Sequence, residues 1–459
     1  MIHQIHELVW GPWLLLLFLG TGIFFTLKSG FFQIRRLPYW WRQTIGSIRE
    51  EECLEEGEVS KFQTACTALA ATIGTGNIVG VATALTAGGP GAIFWMWISA
   101  AIGMMTGYAE TMLGIRYRYR DKTGKWICGP MVYIERGLHM PWLGLVYSFL
   151  CIMVSLGMGS MVQSNSIAET FEYSVGAKPQ IAAVLVTAAV AAVVFGGISR
   201  IAAVSEHLVP VSAGIYILFS LVIIMSCYDE MPAVFLSIFK DALRPGAALS
   251  GAAGYGISRS LQYGMARGVF SNEAGLGSMA VLHGAAEETT PERQGMWAMF
   301  EVFFDTILIC TMTALVILCM TGPDAASSGY DGAALTAYCF SKRLGSLGEY
   351  LVSLAMVLFA FATIIAWYYL GRQAAGYLAE RLKEMGKWYA VQRILRGKVY
   401  TLLYLAAVYA GCIAKLETVW ELSDIWNGLM ALPNIAALLF LAKEVTFPGK
   451  EEQGGREER

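Results

Sequence analysis

Apolar stretches long enough to cross a bilayer recur along almost the whole chain and restrict it to one class of fold. Spanning length needs about 20 apolar residues, and such stretches fall near 10–27, 63–87, 90–114, 142–168, 180–198, 207–227, 259–284, 295–320, 347–370, 399–416 and 425–445. Eleven spans leave no loop able to build a core of its own. Charged side chains make up only 15% of the 459 residues, against about 25% in soluble domains, too few to cover a wet surface. The expected fold is an all-α polytopic membrane protein. Met1 to Glu7 carries no Lys or Arg and no cleavage motif follows the first stretch, so it reads as a true span rather than a signal peptide.

An odd number of spans puts the termini on opposite sides, and the basic residues then choose between the two orientations. With the N-terminus outside, the cytoplasmic segments collect 25 Lys and Arg and the outer loops seven, with Arg267 inside a span. Residues 31–61 mix charge with Tyr39, Trp40 and Trp41, as in a cytoplasmic interfacial helix. The stretches 228–258 and 321–346 read as outer loops, and 447–459 as a charged cytoplasmic tail. Nine scattered Cys form no metal-spaced set and read as packing residues. The dispersed basic residues and net charge of -2 exclude nucleic-acid binding.

Two spans are interrupted. Ile73-Gly74-Thr75-Gly76-Asn77 in the second and Ser271-Asn272-Glu273-Ala274-Gly275-Leu276-Gly277 in the seventh put glycines and polar residues at mid-membrane depth. Backbone groups without partners in lipid cost several kcal/mol each, so each break predicts a cavity or a bound solute. Setting aside the first span, ten spans divide into five plus five, and the broken helices open each half. Because five is odd, the halves run with inverted topology, the pattern of transporters that bind solute where two discontinuous helices meet. The halves are then 62–227 and 259–446, with 1–30 as an extra N-terminal helix. Gly74-x-Gly76-x-x-x-Gly80 lacks the strand a dinucleotide site requires, and no GxxxxGK[ST] motif is present. No nucleophile or metal cluster accompanies the intramembrane acids Glu273, Glu301 and Asp305, so enzyme chemistry is not expected. Glu301 and Asp305 lie four apart, and Arg267 is close enough in sequence to pair with one of the acids; a charge pair and a proton relay are both open for them.

The motifs ATIGTGNIVGVA from Ala71, GGPGAIFWMW from Gly88, ARGVFSNEAGLGS from Ala266, RQGMWAMFEVFFDT from Arg293 and NGLMALPN from Asn427 resemble the alanine or glycine:cation symporter family. GPMVYIERGL from Gly129 and RIAAVSEHLVP from Arg200 are similar too. The resemblance runs in order through nearly the whole chain. It implies a sodium-driven symporter of the bacterial or archaeal inner membrane that imports L-alanine and glycine, with tolerance of D-alanine left open. It implies no cofactor beyond sodium as coupling ion; lipid surrounds the protein, and oligomeric state is left open. Two departures stand out: Gly107 where the family is expected to carry Lys, and Ala362 before Thr363 where Ser is usual. A proton-coupled amino-acid carrier is the alternative reading; a channel or receptor would need a pore or signalling domain that the sequence does not display.

Under that resemblance, the amides of Thr75, Gly76 and Asn77 would receive a substrate carboxylate, and carbonyls near Phe270 and Ser271 the ammonium, with Asn272 alongside. Gln163 can donate to one or accept from the other. Phe270 and Trp367 would wall the side chain and limit its size. Asn77 and Ser271 would hold one sodium ion, and Ala70, Ile73, Ala360 and Thr363 a second.

Overall fold

The structure, a computed structural model, describes residues 2–48, 58–121, 124–243, 259–386, 398–414 and 417–448. The first helices are α1 (Ile2–Val9), α2 (Pro12–Ser29), α3 (Phe32–Arg35), α4 (Leu37–Gln43), α5 (Lys61–Thr72), α6 (Val79–Gly88) and α7 (Gly91–Tyr117). A two-stranded antiparallel hairpin, β1 (Tyr119–Arg120) and β2 (Trp126–Ile127), precedes α8 (Pro130–Leu138). Then come α9 (Pro141–Leu156), α10 (Gln163–Val175), α11 (Pro179–Val194), α12 (Gly197–Ser226) and α13 (Met231–Ala242). The remainder comprises α14 (Arg259–Asn272), α15 (Ser278–His283), α16 (Pro291–Val302), α17 (Thr311–Thr321), α18 (Gly332–Leu344), α19 (Ser346–Glu384), α20 (Lys398–Ile413) and α21 (Glu417–Phe440). Both stretches read as plain outer loops contain a helix, α13 in one and α18 in the other.

Six helical segments among the described residues are long and apolar enough to cross a membrane: Gln4–Ser29, Gly91–Tyr117, Pro141–Ser174, Gly197–Ser226, Pro291–Thr321 and Ser346–Glu384. The pair Lys61–Thr72 and Thr75–Gly88, bent by 59°, makes up to seven. The other expected spans coincide with helices that are short, as α11 and α20 are, with the interrupted pair α14 and α15, and with α21. An all-α polytopic membrane protein is the result. Two of the long segments pass through π-helical turns, Gly157–Val162 between α9 and α10 and Phe303–Cys310 between α16 and α17. Such turns free carbonyls from the regular ladder and recur at functional sites.

Two helices organise the core. α7 packs against α2, α14 and α16, and α19 against α5, α9, α10, α12 and α18. Small residues permit the close approaches: a Cβ at Gly264 would meet the Ala92 carbonyl, and one at Gly159 the Trp367 ring. In the segment read as interfacial, Trp40 is fully buried, donates to the Gln33 carbonyl (3.0 Å) and packs on Phe303, whereas Trp41 is 40% exposed.

Each helix break has its own internal solution to the unpaired backbone. α5 starts from a capping box in which Ser60 and Gln63 exchange hydrogen bonds. It stops at Thr72, and after extended Gly74 the chain makes a 3₁₀ turn over Thr75–Asn77 before α6. The Asn77 side-chain oxygen accepts from the Gly74 amide (2.9 Å). At the second break, Glu273, Gly275 and Gly277 take positive φ angles of 56°, 95° and 84°, which is costly for a residue other than glycine. The Glu110 carboxylate on α7 accepts from the amides of Gly275 and Gly277 (3.1 Å each) and from Asn434 Nδ2 on α21 (2.9 Å). Asn434 also donates to the Gly275 carbonyl (2.8 Å), and Tyr147 to the Leu276 carbonyl (3.0 Å). Glu110→Ala leaves two buried amides without an acceptor and removes one of the two acceptors of Asn434 Nδ2, and is expected to cost on the order of 3 kcal/mol. A lowered thermal unfolding midpoint in detergent, with a smaller loss in Glu110→Gln, would show it.

Candidate functional site

The two breaks meet. A Cβ at Gly76 would lie 3.6 Å from both the Phe270 ring and Ser271 Cα, so the 3₁₀ turn of the first break rests on the end of α14. Beside this contact is a cavity of about 260 Å³ lined by Thr75, Gly76, Val79, Gly80, Thr83, Arg267 and Phe270 together with His6, Trp420, Glu421 and Asp424. Three of the predicted substrate residues, Thr75, Gly76 and Phe270, therefore share one cavity wall. The first amides of a helical turn have no partner within it, and those of Thr75 and Gly76 begin this one. Arg267 adds a positive charge, 5.8 Å above the Phe270 ring. His6 on α1 approaches Asp424 on α21 (3.4 Å), and Trp10 donates to the Asp424 carbonyl (2.8 Å), so the N-terminal helix forms part of the cavity rim. A cavity with both charge signs on its walls and amides at its floor is suited to a zwitterion.

Below the floor the polar contacts are denser. Asn77 Nδ2 donates to Asp305 Oδ1 (2.6 Å) and to Ser271 Oγ (3.3 Å), Ser271 donates to Asp305 Oδ2 (2.7 Å), and Thr306 donates to the same oxygen (2.8 Å). Asn77, Ser271, Asp305 and Thr306 are all buried. On the other flank of the first break, Thr363 Oγ1 lies 3.5 Å from the Ile73 carbonyl and donates to that of Phe359 (3.0 Å). Ala70 and Ala360 are buried in the helices that carry Ile73 and Thr363. Gln163, which follows the π-helical turn of α9 and α10, is buried with Oε1 unpaired among the described residues, 3.7 Å from where a Gly74 Cβ would be.

Three expectations need correction. Asn272 does not face the cavity: its Nδ2 donates to Thr306 (3.2 Å) and its Oδ1 accepts from the Ala274 amide (3.1 Å), because the side chain turns toward α7 to support the break. Glu301 and Asp305 do not pair with Arg267. The one-turn offset sends them to different partners, Asp305 to the two breaks and Glu301 to His283 (3.0 Å) and Thr72 (3.4 Å), while Arg267 points into the cavity. Trp367 is fully buried against Gly159 and is not part of the cavity wall.

Sequence reasoning passed over Glu110, Asn434 and His283. Gln294 Nε2 lies 2.6 Å from His283 Nδ1; taking the amide as donor assigns the ring proton to Nε2, facing Glu301. Thr72 ends α5 at the first break, whereas His283 ends α15 on the side away from the second break, so Glu301 ties the break-facing end of α5 to the far end of α15. A buried acid in a span was the available signal for Glu110, but its partners lie far away in sequence.

The chain matches the model of the sodium:alanine symporter family over residues 1–451. It is 42% identical over 457 residues to an uncharacterized transporter of Haemophilus influenzae, covering 98% of this chain and 95% of that protein. It is 40% identical over 458 residues to the sodium/alanine symporter AgcS of Methanococcus maripaludis, covering 98% and 96%. With the probable sodium/glutamine symporter GlnT of Bacillus subtilis the identity is 35% over 442 residues, covering 96% and 87%.

The geometry separates two neighbouring glycines. A Cβ at Gly74 would lie 2.8 Å from Thr363 Oγ1, whereas one at Gly76 finds ordinary contact distances. Gly74→Ala is expected to cost about 1–3 kcal/mol of stability by overpacking, and Gly76→Ala much less. Equal thermal unfolding midpoints for the two variants in detergent would contradict this arrangement.

Proposed function

The chain belongs to the sodium:alanine symporter family, and from that premise we propose that it imports small neutral amino acids, alanine and glycine, together with sodium by alternating access. The family is one of membrane symporters and not of enzymes. The observation that carries the proposal is the contact between the two helix breaks at the floor of a cavity lined by Thr75, Gly76, Phe270 and Arg267. The amides of Thr75, Gly76 and Asn77 would hold the amino-acid carboxylate, and the carbonyls at Phe270 and Ser271 the ammonium. The roughly 260 Å³ space exceeds what alanine needs, so Phe270 would limit side-chain size as the site closes. Gln163 would act from the opposite flank of the first break.

The transport cycle uses eleven spans, a five-plus-five inverted repeat and one additional N-terminal helix in the inner membrane of a bacterial or archaeal cell. The N-terminus lies outside and the C-terminus in the cytoplasm. Amino acid and sodium enter from the side bounded by His6 and Asp424. Rocking of the broken helices then opens the opposite side. Asn77 with Ser271, and Thr363 with the carbonyls of Ala70, Ile73 and Ala360, are the two sodium stations; the approach of Thr363 Oγ1 to the Ile73 carbonyl supports the second. Hydroxyl, amide and carbonyl oxygens suit a hard cation.

Proton coupling is the second reading, favoured by one observation: a buried Glu301–His283 pair whose carboxylate also accepts from Thr72 at the first break. Purified protein in liposomes separates the two. An inward sodium gradient should drive concentrative alanine uptake that a proton gradient of equal membrane potential does not; the converse would favour proton coupling. Thr363→Ala removes one proposed sodium ligand and should raise the sodium concentration for half-maximal uptake before it changes alanine affinity. Unchanged sodium activation would remove Thr363 from the site.

A further inference from the structure

Asp305 is fully buried and held from three sides by neutral donors. Asn77 Nδ2 supplies one oxygen (2.6 Å), and the hydroxyls of Ser271 and Thr306 supply the other (2.7 and 2.8 Å). Among the described residues no Lys, Arg or His lies within 4.0 Å of this carboxylate, since none forms a salt bridge with it. Arg267, the cation expected nearby, lies over Phe270 instead. A carboxylate at membrane depth without a countercharge is costly, and three neutral hydrogen bonds do not cancel its charge. The local backbone adds oxygen rather than positive charge: Asp305 sits in the π-helical turn Phe303–Cys310, and its carbonyl lies 3.3 Å from Asn77 Nδ2.

We infer that Asp305 is the anionic ligand of a sodium ion, bound between its carboxylate and the hydroxyl oxygens of Ser271 and Thr306. The inference rests on the sodium-coupled reading above and changes its chemistry. Both hydroxyls now donate to the carboxylate; rotating their protons away turns the same oxygens into ligands without moving the backbone. Asn77 becomes chiefly a positioning residue. Its Oδ1 already accepts from the Gly74 amide (2.9 Å), and its Nδ2 is a donor that repels a cation. The Cys310 thiol, 3.3 Å from Ser271 Oγ, is too soft to compete for sodium. Because the protein itself supplies the negative charge, the ion does not depend on the amino-acid carboxylate. Sodium therefore binds first. It also ties Ser271 of the second break to an acid that holds Asn77 of the first, and so shapes the floor of the amino-acid cavity before the amino acid arrives.

The test uses the purified full-length protein in detergent without amino acid, with sodium chloride exchanged for choline chloride at constant ionic strength. Thermal unfolding and binding of radioactive sodium are the two readouts. Wild type should show saturable sodium binding and stabilisation. D305N, which keeps the side-chain shape, should need about tenfold more sodium or higher, a loss that corresponds to about 1.4 kcal/mol, while eluting as a single peak like wild type. S271A, which leaves the carboxylate in place, should show a smaller shift in the same direction and decides the matter if D305N does not fold. Wild-type sodium titrations in D305N, or in S271A when D305N is unfolded, would overturn the assignment. Sodium binding that appears only once alanine is added would overturn it as well. If wild type ignores sodium in both readouts and takes up alanine without a sodium gradient, the underlying sodium reading fails, a result distinguishable from failure of the Asp305 assignment alone.

Discussion

Every backbone amide and carbonyl at membrane depth must find a partner inside the protein, and the two interrupted helices make that requirement acute. The first break meets it locally, with Asn77 accepting from Gly74. The second recruits distant residues: Glu110 from α7 and Asn434 from α21 between them bind two amides and one carbonyl of the loop. Those partners fix where the loop can lie, and the loop fixes the end of α14 that carries Phe270 and Ser271. The cavity wall at Phe270 thus depends on hydrogen bonds made by residues outside the cavity.

The acids in the spans divide this work. Glu110 holds a loop, Glu301 links the break-facing end of α5 to the far end of α15 through Thr72 and His283, and Asp305 connects Asn77 with Ser271. None is paired with Arg267, which keeps its charge for the cavity. Polar links between the two breaks give a physical route by which a solute bound at one is felt at the other. Changing the spacing between Thr72 and Glu301, or between Asn77 and Asp305, would require both broken helices to respond together.

Much of this was legible in the sequence because glycines and an asparagine at mid-membrane depth interrupt a helix where lipid offers its backbone no partner. The roles of Thr75, Gly76 and Phe270 came only with the family resemblance, whereas the breaks near 73–77 and 273–277 follow from that reasoning. Side-chain direction did not. Asn272 sits among site residues in sequence yet turns toward α7, and the i, i+4 spacing of Glu301 and Asp305 conceals that they serve different partners. Glu110 and Asn434, 324 positions apart in their hydrogen bond, carry no local sign of their joint task. Span counting was limited for a related reason: helices interrupted by polar residues or shortened by neighbours, such as α14 with α15 and α11, do not present one long apolar cylinder. Hydropathy reports where a segment is apolar, whereas its depth and pairing depend on the other helices.

On the proposed reading the two helix breaks form a single amino-acid site. An experimental structure of the protein with alanine and sodium tests it most directly. Alanine should lie between the Thr75–Gly76 turn and the Phe270 ring, with its carboxylate toward the turn amides. Alanine bound elsewhere, with those two elements in contact and no ligand between them, would contradict the account.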